Sequence, residues 1–129
     1  MKTTGDRIRY IRKNILNLKG EEFGEKLNVT KVAVSNWENN NRTPDVEMLV
    51  KIAELGNVSV DWLLCRTNNP NAKVYEGYMD DEHIEIEINK NYPHELLPEE
   101  VQKLIDQLKE VGFDVNTLIN NIKDKDKNK

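Results

Sequence analysis

At 129 residues the chain has room for one compact domain and an appendage, and its 37% hydrophobic and 33% charged residues suit a small helical protein with a modest core. No apolar stretch approaches the roughly 18 residues that span a bilayer, the polar start Met1-Lys2-Thr3-Thr4 is unlike a secretory leader, and the single Cys65 excludes an internal disulfide; a reducing cytoplasm is the expected location. The net charge of −4 argues against a polyanionic partner only until the chain is divided: residues 1–66 hold 11 Lys/Arg against 9 Asp/Glu (+2), and residues 67–129 hold 8 against 14 (−6).

Asp6 to Leu18 is expected to form an amphipathic helix with Ile8, Ile11 and Ile15 inward, while Arg7, Arg9 and Lys13 read as a solvated face. Thr3 or Thr4 is its N-cap candidate. A second helix, Gly20 to Leu27, turns Phe23 and Leu27 inward, and Asn28 suits a left-handed stop. Thr30 caps a third helix that runs to about Glu38 with Val34 and Trp37 in the core. Pro44 and Asp45 open a fourth, whose expected buried stripe is Val46, Leu49, Val50 and Ala53 and whose stop is Gly56. Ser59 caps a fifth from Val60 to Leu64. Helices this short are not stable alone, so the five must share one core, with Trp37 and Trp62 in it.

Two short helices with a tight break between them, the second carrying small and polar outward residues, are what a reader of the DNA major groove needs. Residues 1–66 are therefore expected to be a DNA-binding domain. Residues 67–82 read as a linker, with the role of 75–82 open. His83 to Asn89 alternates strictly, as a half-buried strand does. Pro98 starts another helix, with Val101, Leu104, Ile105, Leu108 and Val111 on one face and Gly112 at its end. Asp114 caps a last helix with Val115, Leu118, Ile119 and Ile122 on one face, and residues 123–129 have nothing to bury and are expected to be disordered.

The segment from Leu18 to Leu64 closely resembles the lambda-repressor/Cro-like helix-turn-helix family, also called the XRE family. The matching residues are Glu21-Glu22-Phe23-Gly24-Glu25-Lys26-Leu27-Asn28-Val29-Thr30, Val34-Ser35-Asn36-Trp37-Glu38-Asn39 and Arg42-Thr43-Pro44-Asp45. Leu49, Ile52-Ala53 and Val58-Ser59-Val60-Asp61-Trp62-Leu63-Leu64 complete the pattern. The resemblance implies an all-α five-helix domain in which Lys31, Val32, Ser35 and Asn36 meet base edges. It assigns DNA backbone contacts to Lys19, Gly20, Thr30, Asn39, Asn41, Arg42 and Thr43, and a structural ion pair to Arg12 and Glu38. Two departures stand out. Lys19 and Gly20 replace the cap and the phosphate-holding Gln usual at the second helix, and Asn40 and Cys65 replace glycines common at turns.

The segment 83–122, a strand plus a helical hairpin, is weakly similar to the dimerisation tails of SinR-type repressors. Val101, Leu104, Ile105, Leu108, Val111, Phe113, Val115, Leu118, Ile119 and Ile122 are its expected dimerisation residues. The hairpin packing on its own domain is the other possibility. Together these features imply a homodimeric prokaryotic or phage regulator that binds palindromic double-stranded DNA and represses transcription. An antitoxin-type autorepressor is one alternative, and a protein-interaction module whose C-terminal hairpin captures a partner is another; an antagonist or toxin protein is a further candidate partner. His83 and His94 have no ligand spacing for a metal, and Cys65 reads as an inert thiol. No catalytic grouping, cofactor site or membrane association is expected.

Overall fold

The computed structural model describes residues 1–92 and 95–112. They fall in two compact units, Met1–Val74 with Asn89–Asn91, and Tyr75–Ile88 with Tyr92 and residues 95–112.

The first unit is helical. Helix α1 (Thr4–Tyr10) starts at Thr3, whose hydroxyl accepts from the Asp6 N–H at 3.1 Å while the Asp6 carboxylate accepts from the Lys2 and Thr3 N–H groups. This reciprocal box satisfies donors that have no partner within the helix. Desolvation pushes the Asp6 carboxyl up, but the hydrogen bonds from Lys2 and Thr3 outweigh it and hold the pKa below its ordinary value. The helix runs on into a π-helical turn, Ile11–Ile15, where the Leu16 N–H reaches back five residues to the Ile11 carbonyl at 2.9 Å. Ile8 and Ile11 are fully buried, whereas Ile15, expected on the same stripe, is exposed. The wider turn shifts later side chains out of register with the first turns.

Helices α2 (Gly20–Leu27) and α3 (Lys31–Glu38) are separated by Asn28, left-handed at φ 58°. Helix α4 (Val46–Gly56) is capped by Asp45, whose carboxylate accepts from the Met48 N–H at 2.8 Å, so Pro44 lies outside it. Its buried face is Leu49, Ile52, Ala53 and Gly56, and the expected Val46 and Val50 are exposed. Both sets keep helical spacing, so periodicity alone does not fix which one faces inward. The packing fixes it, because a Cβ on Gly56 would stand 3.0 Å from Ile11. Gly56 is thus a close-packing residue, and the left-handed residue that ends α4 is Asn57 at φ 52°. Helix α5 (Val60–Leu63) is capped by the Ser59 hydroxyl, and Cys65 follows it at φ 64°, a turn conformation glycine fills more easily. Ile8, Ile11, Phe23, Leu27, Val34, Trp37, Leu49, Ile52, Trp62 and Leu63 form the shared core.

Arg7 departs from expectation most sharply. Read as part of a solvated face, it is buried. Its Nη1 donates to the carbonyls of Trp62 and Thr67 (2.7 Å to the latter), its Nη2 donates to Asn68 Oδ1 at 3.1 Å, and the guanidinium lies 4.8 Å from the Trp62 ring centroid. A buried cation is tolerable when its donors are satisfied and an aromatic face lies beneath it.

A hairpin takes the place of most of the expected linker. Residues 72–79 form strand β1 (Ala72–Met79), which pairs with β2 (Glu82–Asn89), so the expected single strand is one arm of a hairpin. Asp80 and Asp81, at φ 51° and 66°, make the two-residue turn, and positive φ at both positions is the type I′ pattern that matches strand twist. Helix α6 (Pro98–Glu110) has proline in its first turn, and Glu100 accepts from the Leu97 N–H at 3.1 Å. Val101 and Ile105 are buried with Met79, Ile84 and Leu96, and Leu104 packs against this cluster. Ile105 occupies the space that Gly77 leaves on β1, while Gln102 clamps both the N–H and the carbonyl of Tyr78 at 3.0 and 2.7 Å. The Lys109 ammonium pairs with Asp80, and that hydrogen bond and charge raise its pKa.

Val101 and Ile105, expected at a dimer surface, are spent inside this unit because the hairpin, unforeseen as a hairpin, supplies them a partner face. Leu108 and Val111 are exposed. Phe113, Val115, Leu118, Ile119 and Ile122, the expected second helix and the expected tail 123–129 lie outside the described residues, as does His94. No helix among the described residues is long and apolar enough to cross a membrane.

Candidate nucleic-acid interface

The α2–α3 pair is held by a close backbone approach. A Cβ on Gly24 would stand 2.7 Å from the Val29 carbonyl oxygen, and the Val29 N–H donates to the Gly24 carbonyl at 2.8 Å. The Thr30 hydroxyl accepts from the Ala33 N–H at 3.1 Å and starts α3 immediately after the turn. Val34 and Trp37 then face the core, which leaves Lys31, Val32 and Ser35 exposed and Asn36 half-buried. Val32 is 68% exposed. An apolar side chain held into water on the first turn of a short helix, beside an ammonium, an amide and a hydroxyl, gains nothing for the fold and suits contact with a thymine methyl.

The far end of α3 is anchored by charge. Glu38 is buried, and its carboxylate accepts from Arg12 Nη2 at 2.7 Å, from Arg12 Nε at 3.0 Å and from Arg9 Nε at 3.3 Å. Arg12 also donates to the Leu18 carbonyl at 3.1 Å, tying the chain just before α2 to the same node. Arg9 donates from Nη2 to Asn39 Oδ1 at 3.2 Å, and Asn39 Nδ2 donates to Ser35 Oγ at 3.3 Å. Arg9, expected on a solvated face, belongs to this node instead, and its position one turn before Arg12 on the same helix face is the sequence signal that it shares Glu38.

The loop after α3 is shaped by the Asn36 carbonyl, which accepts from the N–H groups of Asn41 and Arg42 at 2.9 and 3.2 Å. Asn39, Asn41, Arg42 and Thr43 are exposed. Asn40, left-handed at φ 59°, caps the start of α1 by accepting from the Gly5 N–H at 3.0 Å and donating to the Thr3 hydroxyl at 3.0 Å. At the opposite side of α3, Gly20 opens α2 next to Lys31, and Lys19 is exposed beside it. A shallow pocket there is lined by Arg9, Arg12, Gly20, Lys31, Ser35 and Glu38. The base-edge and backbone-contact residues expected from the sequence thus surround α3, with Thr30 and Lys31 at its start and Asn39 to Thr43 past its end. Within the second unit His83 meets Glu76 at 3.8 Å and the Tyr78 ring edge-on. Among the described residues no group of three or more His, Cys, Asp or Glu side chains could hold a metal ion.

Residues 8–63 match the family model described as helix-turn-helix. YobD, an uncharacterised HTH-type transcriptional regulator of Bacillus subtilis (strain 168), is 35% identical over 68 residues, covering 53% of this chain and 60% of YobD. ImmR, an HTH-type transcriptional regulator of the same organism, is 46% identical over 44 residues, covering 34% of this chain and 35% of ImmR. The chain thus spans less than two thirds of the length of either curated relative. The P22 c2 repressor, crystallised in complex with synthetic operator 9T in the presence of Tl+, is 33% identical with a TM-score of 0.46, covering 50% of this chain and 96% of that one.

Proposed function

We propose that this chain, whose residues 8–63 match the helix-turn-helix family model, is a lambda-repressor/Cro-like repressor which binds a palindromic DNA operator as a homodimer. YobD and ImmR are HTH-type transcriptional regulators, which supports a regulator rather than an enzyme. The observation that carries the reading is the outward face of α3, where Lys31, an exposed Val32 and Ser35 stand free of the core. Lys31 donates to a guanine, Val32 touches a thymine methyl and Asn36 pairs with an adenine. Thr30, Lys19, the Gly20 N–H and the Asn39–Thr43 loop hold phosphates and set the register without reading sequence.

The first half carries only a small basic excess, so one copy binds weakly and two half-sites supply the affinity. The exposed Leu108 and Val111 of α6, with residues 113–122, are the proposed dimer contacts. The acidic second half repels phosphate and so adds nothing to the affinity for the duplex.

Selection of bound duplexes from a random pool tests both claims. A recovered palindrome supports the homodimer, and an asymmetric single site refutes it. On the selected duplex, Lys31→Ala and Asn36→Ala should each cost about 1–3 kcal/mol. Arg42→Ala should weaken every sequence alike and lower the salt slope by about one. Unchanged affinity in both α3 variants would refute the operator reading.

A further inference from the structure

We propose that Arg9 and Asn39 are positioning residues that fix the Ser35 hydroxyl as a hydrogen-bond donor toward the duplex, so that Ser35 recognises an acceptor atom there. The inference rests on the reading of α3 as the helix that meets DNA.

The chemistry of the side chains dictates the direction of each bond. Arg9 donates its Nε hydrogen to Glu38 at 3.3 Å and an Nη2 hydrogen to the Asn39 side chain at 3.2 Å. A guanidinium has donors and no acceptor, so the atom of Asn39 that faces Arg9 must be the amide oxygen. The amide nitrogen is thereby turned toward Ser35, 3.3 Å from Oγ. An amide nitrogen only donates, so Ser35 Oγ must accept, and the hydroxyl keeps its own hydrogen for another partner. Ser35 is exposed on the outward face of α3, one turn beyond Lys31 and Val32. The partner is an acceptor on the duplex, either a base-edge atom such as guanine O6 or N7, or a phosphate oxygen.

Neither relay residue is needed to bury the core. The Arg9 side chain is 43% exposed and Asn39 is exposed, so the relay can be altered in a folded chain. Asn39 also retains its second Nδ2 hydrogen, which is available to a phosphate.

The test uses the full chain and the duplex that the unaltered chain selects from a random pool, with melting of each variant as the check on folding. Asn39→Asp presents only acceptors, so the Ser35 hydroxyl turns inward to it. Asn39→Asp also adds a negative charge, and comparing its effect with and without Ser35→Ala removes that general repulsion. Asn39→Asp should weaken binding roughly fivefold to tenfold more when Ser35 is present than in the Ser35→Ala background, the loss of one hydrogen bond. If the loss is confined to one base-pair position, the acceptor is a base edge; if it is uniform across sequences, the acceptor is a phosphate. Arg9→Lys, which still donates to the amide oxygen, should keep the selected preference, and Arg9→Met should lose part of it. Additive effects of Asn39→Asp and Ser35→Ala would overturn the proposal while leaving the DNA reading intact, and would indicate that the hydroxyl spends its hydrogen on the Lys31 carbonyl one turn back. A chain that selects no sequence at all would overturn both.

Discussion

Arg12 and Glu38, 26 residues apart, lie face to face with both side chains largely withdrawn from water, 13% and 4% exposed, and their closest N–O distance is 2.7 Å. The pair is asymmetric. Glu38 also holds Arg9, whereas Arg12 has no second carboxylate among its bonds to described residues. Glu38→Ala should therefore destabilise the fold by about 3 kcal/mol, since it strands a partly buried guanidinium, while Arg9→Ala should cost under about 1 kcal/mol. Urea denaturation of the three chains would show this order, and equal losses would contradict it.

Gly77 and Ile105 make a second checkable contact. A methyl group at position 77 enters the space of the fully buried Ile105, whose δ carbon is the nearest atom. Gly77→Ala should cost roughly 1–3 kcal/mol by overpacking, and Ile105→Val in the same chain should restore part of that. Hydrogen exchange along α6 reports the loss, and full protection in Gly77→Ala would show that the hairpin yields freely.

The two glycines of α2 should respond oppositely to alanine. At Gly24 the added carbon meets the Val29 main-chain oxygen, which can move only by distorting the turn, so Gly24→Ala should cost at least about 1–3 kcal/mol and weaken DNA binding. At Gly20 the nearest atom is Lys31 Cγ, 3.6 Å from the new carbon, which is ordinary contact. Gly20→Ala should raise stability by about 0.5 kcal/mol by restricting the unfolded chain. Thermal melting of both variants decides it.

The capping box of α1 should fail in acid. Asp6 titrates below its ordinary 3.8, so its contribution is complete above that pH and disappears as pH falls through the lower folded value. Helical content near the N-terminus should decline below about pH 3.8 in the native chain. Asp6→Asn should lack that step in an acid titration followed by circular dichroism or NMR.

Much of the first unit is legible in the sequence because its signals are local. Thr30 and Ser59 are read as caps and bond as caps, Thr3 is the one of the two candidates Thr3 and Thr4 that caps α1, and Asn28 is read as a left-handed stop and has φ 58°. What escapes is set by distant parts of the chain. The phase of α4 depends on Ile11 meeting Gly56, and the π turn leaves no mark on hydrophobic spacing. Strand β1 is hidden because apolar residues occur on both of its faces and Gly77 is a poor strand former, present for the sake of a helix 28 residues later. Around α3, the residues that meet solvent follow from helical spacing, but Arg9 does not, since its partners come from another helix and a loop.

Arg7 joins the two ends of the helical unit. From the second turn of α1 it grips main-chain oxygens at positions 62 and 67 and the side chain at 68. A terminal helix ordinarily frays, opening and closing without disturbing the rest. Here peeling α1 away breaks the bonds of Arg7 to the stretch after α5, so opening at the beginning of the unit loosens its end as well, and with it the shelf on which α3 rests.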